Sequence, residues 1–152
     1  MKILGIRVSS DCVRYAILEK IGDKIVFVNK TTENRLVFPA NFDSINQKLL
    51  WIKNELERII RQNTDIARIV IKTNEFLQEN KSIRATNYVD AVCILVAAEK
   101  GISVYTKLYS QIGATNGNVK ERAEHKIGRT EKYWDSKMAD ATLCAYQELG
   151  AN

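Results

Sequence analysis

Residues 4–19, LGIRVSSDCVRYAILE, constrain the fold more than any other stretch of this chain. Two runs rich in aliphatic and β-branched residues, Lys2 to Val8 and Cys12 to Glu19, flank the polar triplet Ser9-Ser10-Asp11. That is the pattern of a strand, a tight turn and a second strand returning antiparallel beside the first. A third strand-like run, Ile25 to Lys30, follows the turn residues Gly22-Asp23, so the chain opens with an antiparallel meander. The segment from Thr31 to Phe42 holds the one proline, Pro39, and reads as a loop with an extended piece around Leu36-Val37-Phe38.

Helical periodicity begins after Asp43 and Ser44, either of which suits an N-cap. Ile45, Leu49, Ile52, Leu56, Ile59 and Ile60 recur at spacings of three and four and lay an apolar stripe along one face. The opposite face mixes signs, as a solvated surface does. Ile66 to Lys72 is short, β-branched and apolar on both parities, which predicts a strand buried on both sides. Tyr88 to Glu99 is apolar nearly all round. Its length, its alanines and the stop at Lys100-Gly101 predict a core helix. Ile102 to Thr106 is a fifth strand. Beyond the break at Gly113 to Gly117, Asn118 and Glu121 have capping-box spacing and start a charged helix through about Ile127. A last helix runs from Asp135 to Leu149, with Ala139, Ala141, Cys144 and Ala145 small enough to lie close against a sheet. The order β-β-β-α-β-α-β-α-α predicts an α/β fold: a mixed five-stranded sheet, three strands antiparallel and then two parallel, with flanking helices.

A chain of 152 residues suits one compact core, hence one domain over 1–152. No apolar run approaches the roughly 20 residues that span a bilayer, so a soluble, cytoplasmic protein without membrane contact is expected. Cys12, Cys93 and Cys144 are far apart in apolar segments and read as small core residues rather than ligands. The single histidine, His125, has no Cys or His at ligand spacing. A net charge of +5 permits nucleic-acid binding without demanding it.

The opening Leu4-Gly5-Ile6-Arg7-Val8-Ser9-Ser10 resembles the first hairpin of the RNase H-like superfamily, most closely its Holliday-junction resolvase (RuvC-like) branch, which reads hydrophobic-Gly-Ile-Asp-x-Gly-Ser. Ile69-Val70-Ile71-Lys72 is similar to that branch's fourth strand, which ends in Ile-Glu. Lys137-Met138-Ala139-Asp140-Ala141 is similar to its final helix, Asp-x-x-Asp-Ala, and the glycine break before Lys120-Glu121 to the loop and helix preceding it. In length and ending the chain also resembles short bacterial members of the superfamily.

The resemblance implies a nuclease fold whose four carboxylates hold divalent ions, Mg or Mn. Position by position, however, Arg7, Lys72 and Lys137 stand where three of them belong, and Asp140 alone keeps its carboxylate. Two unit charges about 4 Å apart interact by roughly 4 kcal/mol at an effective dielectric near 20, so one aspartate does not offset several cations. Those cations either neutralise Asp140 in an ion pair or meet phosphate directly. A shifted metal site would draw on Asp11, Glu75 and Asp135 with Asp140, although Asp11 suits a turn and Asp135 a helix N-terminus. Nothing supplies a Ser-His-Asp or Cys-His arrangement. The opening motif also resembles the phosphate loop of the actin and sugar-kinase superfamily, whose architecture needs two such domains.

Basic residues gather in the last third: Lys107, Lys120, Arg122, Lys126, Arg129 and Lys132, with Tyr109, Tyr133 and Trp134 between them. Such a mixture tracks a phosphate backbone and stacks bases, though Glu121, Glu124 and Glu131 dilute it. Of these cations, Lys107, Lys120, Arg122 and Lys126, with Arg7, Lys72 and Lys137, are the expected nucleic-acid contacts. The sequence therefore predicts a noncatalytic RuvC-like module that binds DNA or RNA, or a protein partner or second copy, and needs no cofactor. A metal-dependent nuclease with shifted carboxylates and a structural subunit of a larger assembly are the alternatives.

Overall fold

The computed structural model describes residues 1–76 and 78–150. Its first strand, β1 (Lys2–Val8), pairs antiparallel with β2 (Cys12–Ile21), which pairs in turn with β3 (Lys24–Phe27). The β2–β3 turn places Gly22 at φ +60°, a left-handed conformation that costs glycine nothing. The sheet has six strands, not five: the extended piece expected near Leu36 joins it as β4 (Arg35–Val37), pairing antiparallel with the first residues of β2. Because β2 is 10 residues long, it accommodates β4 along one half and β3 along the other. The third strand is also shorter than its sequence pattern. Past Phe27 the side chain of Asn29 takes over ladder bonds, its Oδ1 accepting from Ile17 N at 2.7 Å and its Nδ2 donating to Tyr15 O at 3.1 Å.

Helix α1 (Ile45–Gln62) begins at Ser44, whose backbone N–H donates to Gln47 Oε1 at 3.3 Å. It buries Ile52, Leu56 and Ile59 from the apolar stripe. The chain then crosses to β5 (Ile66–Lys72), parallel to β1, and through α2 (Lys81–Glu99) to β6 (Ser103–Lys107), parallel to β5. The core helix starts at Lys81 rather than Tyr88, because the Asn80 side chain caps it, accepting from Ile83 N at 2.9 Å. A single turn α3 (Tyr109–Ile112), α4 (Val119–Lys126) and α5 (Ser136–Gly150) complete the chain. Asn118 does not cap α4 as its spacing suggested. Its Oδ1 faces back and accepts from Thr115 N at 2.7 Å, closing the preceding turn. Asp135 does cap α5, accepting from Met138 N at 2.8 Å.

The sheet order β3-β2-β1-β5-β6 separates two apolar layers. Leu4, Ile6, Val8, Ile69 and Ile71 face α1 and α2; Ile3, Ala16, Leu18 and Val70 face α5 with α3 and α4 behind it. All three cysteines are buried and unpaired. Helix α5 rests directly on the first strand, for a Cβ on Gly5 would collide with the Ala141 carbonyl oxygen and touch Ala145. That contact explains a glycine in the middle of a central strand and the small residues opposite it. No helix among the described residues is long and apolar enough to cross a membrane.

Candidate nucleic-acid interface

Strand parity decides which side chains meet α5. On β1, Leu4, Ile6 and Val8 take one face, so Ile3, Gly5 and Arg7 take the other. Arg7 lies opposite Arg14 of β2, and Arg14 lies opposite Arg35 of β4. On the other side β1 and β5 pair up to Ile6 and Ile71, the residues just before Arg7 and Lys72, and Lys72 lies opposite Lys107 of β6. Arg35, Arg14, Arg7, Lys72 and Lys107 therefore form one row across five strands, at one end of the sheet, on the α5 face.

Like charges in neighbouring strands repel, and four of the five cations have a carboxylate to offset this. Arg7, with 8 % of its side chain exposed, donates from Nε to Asp140 Oδ2 at 2.8 Å, and from Nη1 to the Val8 carbonyl at 3.1 Å and to Asn74 Oδ1. Lys72 has no exposure. Its ammonium is 2.8 Å from Glu75 Oε2, donates to the Thr73 carbonyl at 2.6 Å and lies 3.7 Å from the centre of the Tyr109 ring. The Tyr109 hydroxyl donates to Asp140 Oδ2 at 3.0 Å, and its backbone N–H to Glu75 at 2.9 Å, so one tyrosine ties the two ion pairs together. Arg14 pairs with Asp135 at 2.8 Å. Lys107 pairs with Glu148 at 2.9 Å, and Arg68 reaches the same carboxylate at 2.8 Å.

Burial pushes the Asp140 carboxyl above its ordinary value, while the Arg7 guanidinium, the Tyr109 hydroxyl and the Lys72 ammonium pull it down. The contact with Arg7 is the largest of these opposing effects. Its Oδ1 is buried without a hydrogen-bond partner, as are Asp90 Oδ1 and Asn74 Nδ2. Asp90 extends from α2 and senses Arg7 and Lys72, yet burial raises its carboxyl to about 7. Glu75 is held low, chiefly by its bond from Lys72.

The structure thus joins Arg7 to Asp140 and brings Lys72 beside them through Tyr109. Lys137, a turn earlier on α5, makes no hydrogen bond or salt bridge there; the Asp11 carboxyl is lowered chiefly by the Ser9 hydroxyl bond, with smaller contributions from the charges of Arg14 and Lys137. The other carboxylates are dispersed: Asp11 takes the Ser9 hydroxyl in the β1–β2 turn, Asp135 caps α5, and Glu75 pairs with Lys72. Among the described residues no three of His, Cys, Asp and Glu are grouped to hold a metal ion. Lys120, Arg122 and Lys126 are exposed on α4, where Trp134 donates to Glu124 at 2.7 Å.

Asn74, Asp90, Arg14 and Arg35 were not singled out from the sequence. A lone carboxylate inside the apolar run YVDAVCILVAAE and an arginine on the inward parity of β2 were the available signals.

No protein-family model and no curated protein sequence matches the chain. Among solved structures it is similar to T. thermophilus RuvC in complex with a Holliday junction substrate, at 14 % identity and TM-score 0.79, covering 98 % of this chain and 93 % of that one. A second Thermus thermophilus RuvC structure matches at 16 % identity and TM-score 0.75, over the same shares of 98 % and 93 %. The chain has the RuvC-like RNase H fold. A more distant RuvC-like match is the yeast mitochondrial Holliday junction resolvase Ydc2, at 14 % identity and TM-score 0.54, covering 95 % of this chain and 77 % of that one. The row of cations lies at the sheet end where Arg7 meets Asp140 and Lys72 lies beside them.

Proposed function

We propose that this chain is a noncatalytic RuvC-like nucleic-acid-binding module in which buried side-chain cations take the place of divalent ions. The observation that carries the noncatalytic part of the reading is the row of five cations from Arg35 to Lys107, with Arg7 and Lys72 at its centre. A divalent ion of this kind needs several anionic oxygens turned to one point. Here one oxygen of Asp140 is engaged by Arg7 and Tyr109, and the nearest neighbours are a guanidinium and an ammonium. That donor set does not fit Mg or Mn, and the dispersed Asp11, Glu75 and Asp135 do not complete it.

The two central cations are paired and covered, so their part in this reading is to hold the sheet end in shape without metal. Phosphate contact falls to cations that reach solvent: Lys120, Arg122 and Lys126 on α4, and the half-buried Lys137 at the start of α5. Lys107 is committed to Glu148 and contributes field rather than direct contact. The likeness to a RuvC that holds a Holliday junction substrate makes branched DNA the first ligand to try. Contacts to phosphate carry little sequence information, so binding should depend on shape and weaken steeply with salt.

The test is fluorescence anisotropy with four-way junction, duplex and single-stranded DNA and RNA in EDTA, over a salt series, beside a cleavage assay with Mg or Mn. Binding in EDTA without cleavage is expected. Metal-dependent cleavage would replace this reading with the nuclease, and absence of binding at low salt would replace it with a protein-interaction or structural subunit.

A further inference from the structure

Building on the nucleic-acid reading above, we infer that the groove between β4 and the segment preceding α5 is a subsite for one unpaired nucleotide. Its base lies against the Tyr133 ring and its phosphate on Arg35 and Lys132. The cation row ends in this groove. Arg14, Arg7, Lys72 and Lys107 each face a carboxylate, whereas Arg35 makes no salt bridge among the described residues and instead lies 3.5 Å over the centre of the Tyr133 ring. The groove has a volume of about 510 Å³, in the range of small-molecule sites, and Asn34, Arg35, Glu131, Lys132 and Tyr133 are among its walls.

Three features make it a prepared surface. Tyr133 is 53 % exposed although Arg35 covers one face, so the rest of the ring is open. Its φ of +61° is a left-handed conformation that a bulky residue rarely adopts, and the neighbouring chain is pinned to hold it. Asn34 Nδ2 donates to the Lys132 carbonyl at 3.0 Å, the Thr130 hydroxyl donates to the same carbonyl at 2.8 Å, and Glu131 N donates to Lys30 O at 2.9 Å. Finally, Asn34 is only 3 % exposed, and with its amide nitrogen committed its Oδ1 has no partner. That oxygen is enclosed within the wall rather than open to the groove, so it makes the lining polar without offering a bare acceptor.

An aromatic face beside a cation matches a nucleotide better than a bare anion, because Glu131 also lines the groove and repels either one, while only the nucleotide adds stacking to offset it. Glu33 at the rim is already bound to Arg58 at 3.0 Å and Tyr15 at 2.7 Å. Recognition of this kind tolerates any base and requires that the base be unstacked.

The experiment compares, on the full chain at low salt, a labelled single strand, the same strand carrying abasic sites, and a blunt duplex. Wild-type protein should prefer the base-bearing strand to the abasic one by about tenfold, the scale of stacking one base. Tyr133→Asn, which removes the ring and tolerates a positive φ, should bind the two single strands equally. A 2-aminopurine in the strand should be quenched on binding to wild type. Equal wild-type affinity for base-bearing and abasic strands, with duplex still bound, overturns the subsite and leaves the module reading standing; so does a Tyr133→Asn protein that keeps the preference. Failure to bind any of the three overturns both.

Discussion

Replacing Arg7 by methionine removes the cation from Asp140 while keeping an unbranched side chain of similar length on β1. Asp140 then keeps one hydrogen bond, from the Tyr109 hydroxyl, inside a site where its residue has no exposure. Breaking a buried ion pair on one side costs about 3–5 kcal/mol, chiefly as the penalty of the charge left behind. That is a large part of the roughly 5–15 kcal/mol that holds a domain together. The loss should depend on pH. Burial already raises the Asp140 carboxyl, and without Arg7 it rises further. A carboxyl raised in the folded state binds more protons there than in the unfolded chain, so stability falls as pH rises above its unfolded value. Urea unfolding followed by circular dichroism should therefore show a larger deficit for Arg7→Met at pH 8 than at pH 5. Adding Asp140→Leu removes the stranded charge and should recover stability relative to Arg7→Met alone. A deficit below about 1 kcal/mol at pH 8, or a double variant less stable than the single one, would refute the view that this ion pair is a closed structural unit.

Asp90, raised from 3.8 to about 7 by burial, should make wild type lose stability between pH 4 and 7 by on the order of 4 kcal/mol, at 1.36 kcal/mol for each pH unit. Asp90→Asn should remove most of that slope in urea unfolding, and a pH-independent difference between the two proteins would show that Asp90 is solvated. Gly5→Ala should cost several kcal/mol, because its methyl meets a backbone oxygen of α5 that has no rotamer to change; a drop in melting temperature of only a degree would show that α5 slides freely on the sheet.

Much of the architecture is written in local periodicity. The hairpin of residues 4–19, the apolar stripe of α1, the doubly buried β5 and the small-residue helix α5 each satisfy a rule that reads only a few residues at a time, and their order leads to the RuvC-like fold. The start of α2 was missed because Asn80 caps a first turn that carries no apolar repeat. β4 reads only as an extended piece in the sequence, because three residues become a strand only when β2 is long enough to receive them. The interface was legible in part. Matching motifs point to Arg7, Lys72, Lys137 and Asp140, of which Lys137 stays apart, but the sequence leaves open whether Arg7 pairs with the aspartate or meets phosphate. Tertiary structure decided this by covering that end of the sheet with α5, where an unpaired charge is too costly to keep. It also aligned Arg14 and Arg35 with Arg7 and set Asp90 against them from α2. Cross-strand register and the packing of α2 and α5 against the sheet depend on residues far apart in the chain, and no short window of sequence contains both members of such a contact.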